Sequence, residues 1–339
     1  MFNTFAIVAG TTVLASALSA QTVTSDPVGF ITNEISANTD ALASPAFHRA
    51  SEFVGSVGTV VDGDTIEVAG TPGFTVDQFA FSGSEPQFYV LFTSGDRSGL
   101  WSVIDTNTAD TLNLLLVNQT LGDTPGDQVE AGDSFEIIPF WTPDTLFPDV
   151  PDQTKILVFN RDNEGINNSS DAIYTFFEAA PGWFDSNFAA VGGNALFPDD
   201  SLILRTEAES YTWVQAGEVP MAPVRSALAL VTPGVDQDIR ATSGLPVAVP
   251  ISELFDWAAL GQAAAADQDK ILLFDSSDPG INKSSIRIFT YFEAAPGWFD
   301  SNFAAAGPND VIEPGQGFIY RKASASGDEV IIEFTPSYQ

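Results

Sequence analysis

Apolar residues along this chain fall in short runs rich in β-branched and aromatic side chains, each closed by Gly, Pro, Asp or Asn. Gln87–Thr93, Leu100–Asp105, Thr111–Val117, Ser134–Pro139, Lys155–Phe159, Ile173–Phe177 and Ser201–Arg205 are of this kind. So are Lys270–Phe274, Ile286–Phe292, Gly317–Arg321 and Val330–Phe334. Runs of that length and composition, punctuated by turn formers, predict β-strands. Asp62-Gly63-Asp64, between Phe53–Val61 and Thr65–Val68, predicts a tight hairpin. Pro181-Gly182 predicts a type II turn joining Tyr174–Glu178 to Trp183–Phe188. Helical spacing of apolar positions is confined to Ser252–Ala265, with Ser252 placed to cap it, and a shorter turn is expected near Asp144–Phe147.

The pattern also repeats. Phe177–Ala190 and Phe292–Ala305 both read FEAAPGWFDSNFAA, and the match extends without gaps from Lys155–Asn194 onto Lys270–Asn309, with 27 of 40 positions identical at a spacing of 115 residues. Downstream, Ser201–Arg205 pairs with Gly317–Arg321 after one added residue. Upstream, Pro27–Asp40 resembles Pro223–Asp236 at a spacing of 196, which leaves 81 extra residues in the first copy. The expectation is an all-β protein of two homologous β units from an internal duplication, the first carrying an inserted small barrel-like domain, with little helix. The boundaries that follow are residues 21–50 plus 141–221 for the first unit, 51–140 for the insertion and 222–339 for the second unit. Val28–Ile35 is then expected beside strands that follow residue 155.

Several pieces of this pattern belong together. Ser25–Gly29 reads SDPVG, Tyr89–Gly95 and Thr108–Leu112 read YVLFTSG and TADTL, and each copy carries Gly-Ile-Asn (from Gly165 and Gly280) and Gly-Trp (Gly182-Trp183, Gly297-Trp298). The second copy ends in Gly315–Lys322, GQGFIYRK, whereas the first has Leu202–Glu207 at that place. This set resembles an uncharacterised family of secreted proteins of Gram-negative bacteria. The resemblance covers nearly the whole mature chain and implies fold and export, but no activity.

Residues 1–20 read as a secretory signal peptide: an apolar run from Phe5 to Leu18 is followed by small residues, with cleavage after Ser19 or Ala20. Its n-region has no Lys or Arg. No later stretch approaches the ~20 apolar residues of a membrane helix. The expected location is periplasmic, cell-surface or extracellular. Cysteine is absent, so disulfides, thiolate nucleophiles and Cys-based metal sites are excluded. A net charge of −33 repels nucleic acid and anionic lipid and excludes them as partners.

Three constellations carry candidate chemistry. Trp183, Phe184, Trp298 and Phe299, with Phe188 and Phe303, form a candidate sugar-stacking platform; the competing reading makes them the core of a hairpin. Asp162 and Glu164 in the first copy, and Asp275 and Asp278 in the second, lie in equivalent loops resembling the start of a Ca2+ site, although Pro279 replaces a ligand in the second copy. The plainer reading of those loops has Asn167 and Asn282 bonding local backbone. Glu178 and Asp185, with Glu293 and Asp300, are candidate paired carboxylates of a glycoside hydrolase, but a site needed once is seldom written twice. His48 is the sole histidine and has no Ser/His/Asp companions. Arg205 and Arg321-Lys322 sit at equivalent strand ends and are expected to pair with Asp or Glu. The leading expectation is a non-catalytic structural or interaction protein, self-associating or bound to cell-surface components. A polysaccharide-binding module is the alternative, and a hydrolase comes third.

Overall fold

The computed structural model describes residues 27–116, 120–122, 126–161, 163–228, 232, 234–253, 268–292, 294–323 and 330–338. The expected leader, Asp162, Glu293 and most of the expected helix at Ser252–Ala265 lie outside them. Strands β1 (Val28–Ile35) and β2 (Asp40–Ala43) come first. They are followed by β3 (Phe53–Val60), β4 (Thr65–Val68), β5 (Phe88–Phe92), β6 (Trp101–Asn107), β7 (Thr111–Leu115) and β8 (Ser134–Pro139). After a single helical turn, α1 (Pro143–Leu146), come β9 (Lys155–Val158), β10 (Ala172–Phe177), β11 (Gly182–Phe184), β12 (Leu202–Arg205) and β13 (Tyr211–Glu218). The rest is β14 (Val224–Leu228), β15 (Gln237–Thr242), β16 (Val249–Pro250), β17 (Lys270–Leu273), β18 (Arg287–Tyr291), β19 (Trp298–Phe299), β20 (Val311–Ile312), β21 (Gly317–Lys322) and β22 (Val330–Phe334). The protein is all-β, and among the described residues no helix is long and apolar enough to cross a membrane.

Strands β3 to β8 close into an antiparallel barrel in the order β3-β4-β7-β6-β5-β8. Alternate residues point inward, as a closed sheet requires, and Ile66, Val90, Phe92, Leu112 and Phe135 fill the interior with no measurable exposure. The Asp62–Asp64 turn joins β3 to β4 as a hairpin.

The remainder is built on two five-stranded antiparallel sheets, in the orders β2-β12-β9-β10-β11 and β15-β21-β17-β18-β19, with a short β16-β20 pair beside the second. They correspond strand for strand, and each has a two-stranded companion, β1-β13 and β14-β22. β1 therefore pairs with a strand far beyond residue 155, Val28 facing Glu218. The register corrects one detail of the upstream match. Asp40 faces Arg205 and Asp238 faces Arg321, so Asp238, at a spacing of 198, takes the place assigned to Asp236.

The outer edges of β2 and β15 would be open templates for pairing with other chains. Each is covered from the other half of the molecule: Asp40 N–H donates to the Gly280 carbonyl (2.9 Å) and Asp238 N–H to the Gly165 carbonyl (3.0 Å). The halves come so close near β21 that a Cβ on Gly317 would lie 2.3 Å from the Ser201 Cβ. That contact explains the glycine in GQGFIYRK, where the first copy carries serine.

One local expectation needs correction. Phe177 pairs with Gly182, so residues 178–181 form the turn and Pro181-Gly182 closes it instead of standing at its centre. The expected helix at Ser252–Ala265 is described only at its start, where Ile251–Glu253 form a 3-10 turn.

Candidate functional site

Over its described residues the repeated hairpin folds alike in both halves. Trp183 is 1% exposed and Trp298 5%, because the middle residue of β11, like the first of β19, faces the sheet core. Each packs edge-on against the preceding strand, Trp183 on Phe176 (5.6 Å) and Trp298 on Tyr291 (5.4 Å). Sugar stacking on these tryptophans is thereby overturned, since no ring face reaches solvent. Phe184 and Phe299 are half-buried and turn to the opposite face, against Phe177 and Phe292.

Beyond each hairpin the chain makes a tight loop. Asp185 N–H donates to the Ala189 carbonyl and Phe188 N–H to the Asp185 carbonyl (both 3.0 Å), while Asp185 Oδ1 accepts the N–H groups of Asn187 and Ala189 (2.8 Å each). Asp300 repeats this with Asn302 and Ala304, at 2.8 Å each. The Ala189 N–H, above all, holds Asp185 below the usual carboxylate range, as the Ala304 N–H does for Asp300. Groups kept ionised in this way organise turns and are poorly suited to donate a proton in glycoside hydrolysis. Glu178, the other half of that pair, donates its backbone N–H to Asp152 Oδ1 at 2.9 Å.

These loops end on an unusual residue. Phe188 and Phe303 both have φ of 60°, the left-handed position after a type I turn that normally takes Gly. They are 74% and 75% exposed, and their rings lie over Phe177 (5.9 Å) and Phe292 (5.8 Å). Each half thus presents a three-phenylalanine tip: Phe177, Phe184 and Phe188, or Phe292, Phe299 and Phe303.

The Gly-Ile-Asn loops form a reciprocal clamp between the halves. Asn282 N–H donates to Asp40 Oδ2 (2.7 Å), and Arg205 binds both oxygens of Asp40 (2.6 and 2.8 Å) and reaches Asn282 Oδ1 (3.1 Å). In the mirror arrangement Asn167 N–H donates to Asp238 Oδ2 (2.8 Å), and Arg321 grips Asp238 (2.6 and 2.9 Å). Both arginines pair with aspartates as expected. The expectation of local bonds for Asn167 and Asn282 is corrected: their principal partners lie in the other half of the molecule. Both adopt left-handed backbone (φ 56° and 53°), which asparagine tolerates.

The Ca2+ candidates sit in these same loops. Glu164 accepts the Thr232 hydroxyl, and Asp275 Oδ1 accepts the Ser277 N–H (2.8 Å) and hydroxyl (2.6 Å). The Lys283 ammonium donates to the carbonyls of Asp275 and Asp278, so a cation there would have to displace it. Elsewhere, His48, Glu136 and Glu218 bring their ligating atoms within 4.8 Å of one another. Glu136 already accepts the Ser51 hydroxyl (2.6 Å) and Glu218 the Ser51 N–H (3.3 Å). His48 is buried, and its Nδ1 lies 3.2 Å from the Arg49 carbonyl, which accounts for it structurally.

No protein-family model, curated protein or solved structure matches this chain.

Proposed function

We propose that this chain is an exported, non-catalytic interaction protein of the cell surface or extracellular space, built by internal duplication, that self-associates through its two aromatic tips. The observation that carries this reading is the pair Phe188 and Phe303. A loop needed only for folding is served best by Gly at a left-handed position, where an L-residue costs about 1–2 kcal/mol. Here the strained position holds a large apolar ring exposed to water, in both copies. Strain combined with apolar exposure at a repeated place favours a contact surface. Two equivalent tips make the molecule bivalent, so it can extend into assemblies larger than dimers. The resemblance to secreted proteins and the apolar segment at Phe5–Leu18 support export.

Replacing Phe188 with a photo-reactive benzophenone amino acid tests the reading. Illumination of the purified protein is expected to give intermolecular products joined at one of the two tips. Crosslinks confined to single molecules would contradict it.

A further inference from the structure

The barrel meets the first five-stranded sheet around a cavity of about 440 Å3, a size usual for small-molecule sites. Val103 and Leu115 from the barrel and Val158 and Leu196 from the sheet half make its walls apolar. Trp101 and Phe197 contribute two aromatic faces with ring centroids 5.8 Å apart. The buried Trp101 Nε1–H has no acceptor among the described residues.

The charged groups of this cavity are unequally satisfied. Arg161 donates to Asp199 Oδ2 (2.8 Å), and Ser226 donates to the same oxygen (2.9 Å). Asp171 accepts from Asn160 and Asn163. Among the described residues Asp200 accepts the Ser201 N–H (2.9 Å) and lies 3.7 Å from Arg161 Nε, with Arg240 its other cationic neighbour. The lining therefore holds three carboxylates, Asp171, Asp199 and Asp200, against one guanidinium, Arg161, in an apolar, aromatic setting. The arrangement occurs once: Ser276 stands where the first copy has Arg161, and Gly315-Gln316 stand opposite Asp199-Asp200. The charged set is therefore found only where the barrel covers it.

We infer that this cavity binds a small organic cation, an alkylated ammonium on a short apolar body with one acceptor oxygen, its charge held between Asp200 and the Trp101 and Phe197 rings. Aromatic faces attract such cations, and a lining with more carboxylates than guanidinium groups supplies the opposite charge. A neutral saccharide would find most of the polar groups already engaged with one another.

Isothermal titration of the full mature chain with choline, its neutral isostere bearing a quaternary carbon in place of nitrogen, and cellobiose tests the inference. Choline is expected to bind about ten-fold or more tighter than the isostere. Asp200→Asn is expected to abolish that preference, and Phe197→Ala, at the exposed lip, to weaken choline binding in a chain with unchanged thermal unfolding. Choline binding should also fall as acid protonates Asp200, whose charged neighbours are Arg161, Asp199 and Arg240. Equal binding of choline and isostere, binding of cellobiose alone, or no binding at all would overturn it. A chain carrying Phe188→Gly and Phe303→Gly should bind choline normally, so this site and the aromatic tips succeed or fail separately.

Discussion

Phe188 and Asp200 show how single positions can run against folding and so reveal themselves. Burial pushes the Asp200 carboxyl up to about 6. An unfolded aspartate titrates near ~3.9, so between these values the folded state holds a proton that the unfolded state lacks. Stability from this group is therefore highest in acid and lost as pH rises through that window. Asp200→Asn is expected to raise stability by about 1–2 kcal/mol near pH 7 and by close to nothing near pH 4, measured by chemical denaturation. An equal effect at both pH values would remove the burial argument. Neither position announces its role in the sequence. Asp199-Asp200 reads as an ordinary acidic turn in a chain of net charge −33, and its apolar surroundings come from Trp101 and Leu115, distant in sequence. The aromatic platform was legible as residue types, but which rings face water depends on the pleat: Trp183 goes inward and Phe188 outward.

At the scale of elements, the strands with regular composition were readable and those built into the junction were not. β13 alternates cleanly, with Tyr211, Trp213 and Gln215 inward and Thr212, Val214 and Ala216 outward, yet its polar tail disguises it. β2 and β15 are buried at every position and include Asp40, Asp238 and Arg240, so no period-2 signal marks them. Their polar residues make sense only once the clamp is seen. Arg321 grips Asp238, which is 2% exposed at its side chain, and the same carboxylate receives the Asn167 loop. Asp238→Asn removes the carboxylate that binds the guanidinium directly and is expected to cost about 3 kcal/mol in chemical denaturation. A loss below about 1 kcal/mol would show that the pair contributes no more than a surface ion pair. The Gly-Ile-Asn motif was visible as a repeat, but a repeat cannot say that each copy serves the other one.

Over the whole molecule, two forces oppose each other. The exposed tips favour association, and a net charge of −33 resists it. Salt screens that repulsion, with a Debye length falling from ~30 Å at 0.01 M to ~8 Å at 0.15 M. The edges of the two five-stranded sheets offer no easy alternative route. The β2 and β15 edges are covered by the opposite half, and the strands at the other edges, β11 and β19, are short and closed by the Phe184–Ala190 and Phe299–Ala305 bridges. Association through the aromatic tips should therefore strengthen with salt, whereas association through ion pairs would weaken. Sedimentation velocity of the mature chain beside its Phe188→Gly, Phe303→Gly variant tests this most directly. The wild-type chain should form assemblies that grow with concentration and salt. The variant should stay monomeric without losing more than about 1 kcal/mol of stability, because glycine suits the left-handed position and little buried surface is lost. A wild-type chain that is monomeric throughout, or a variant that assembles equally well, would contradict the account.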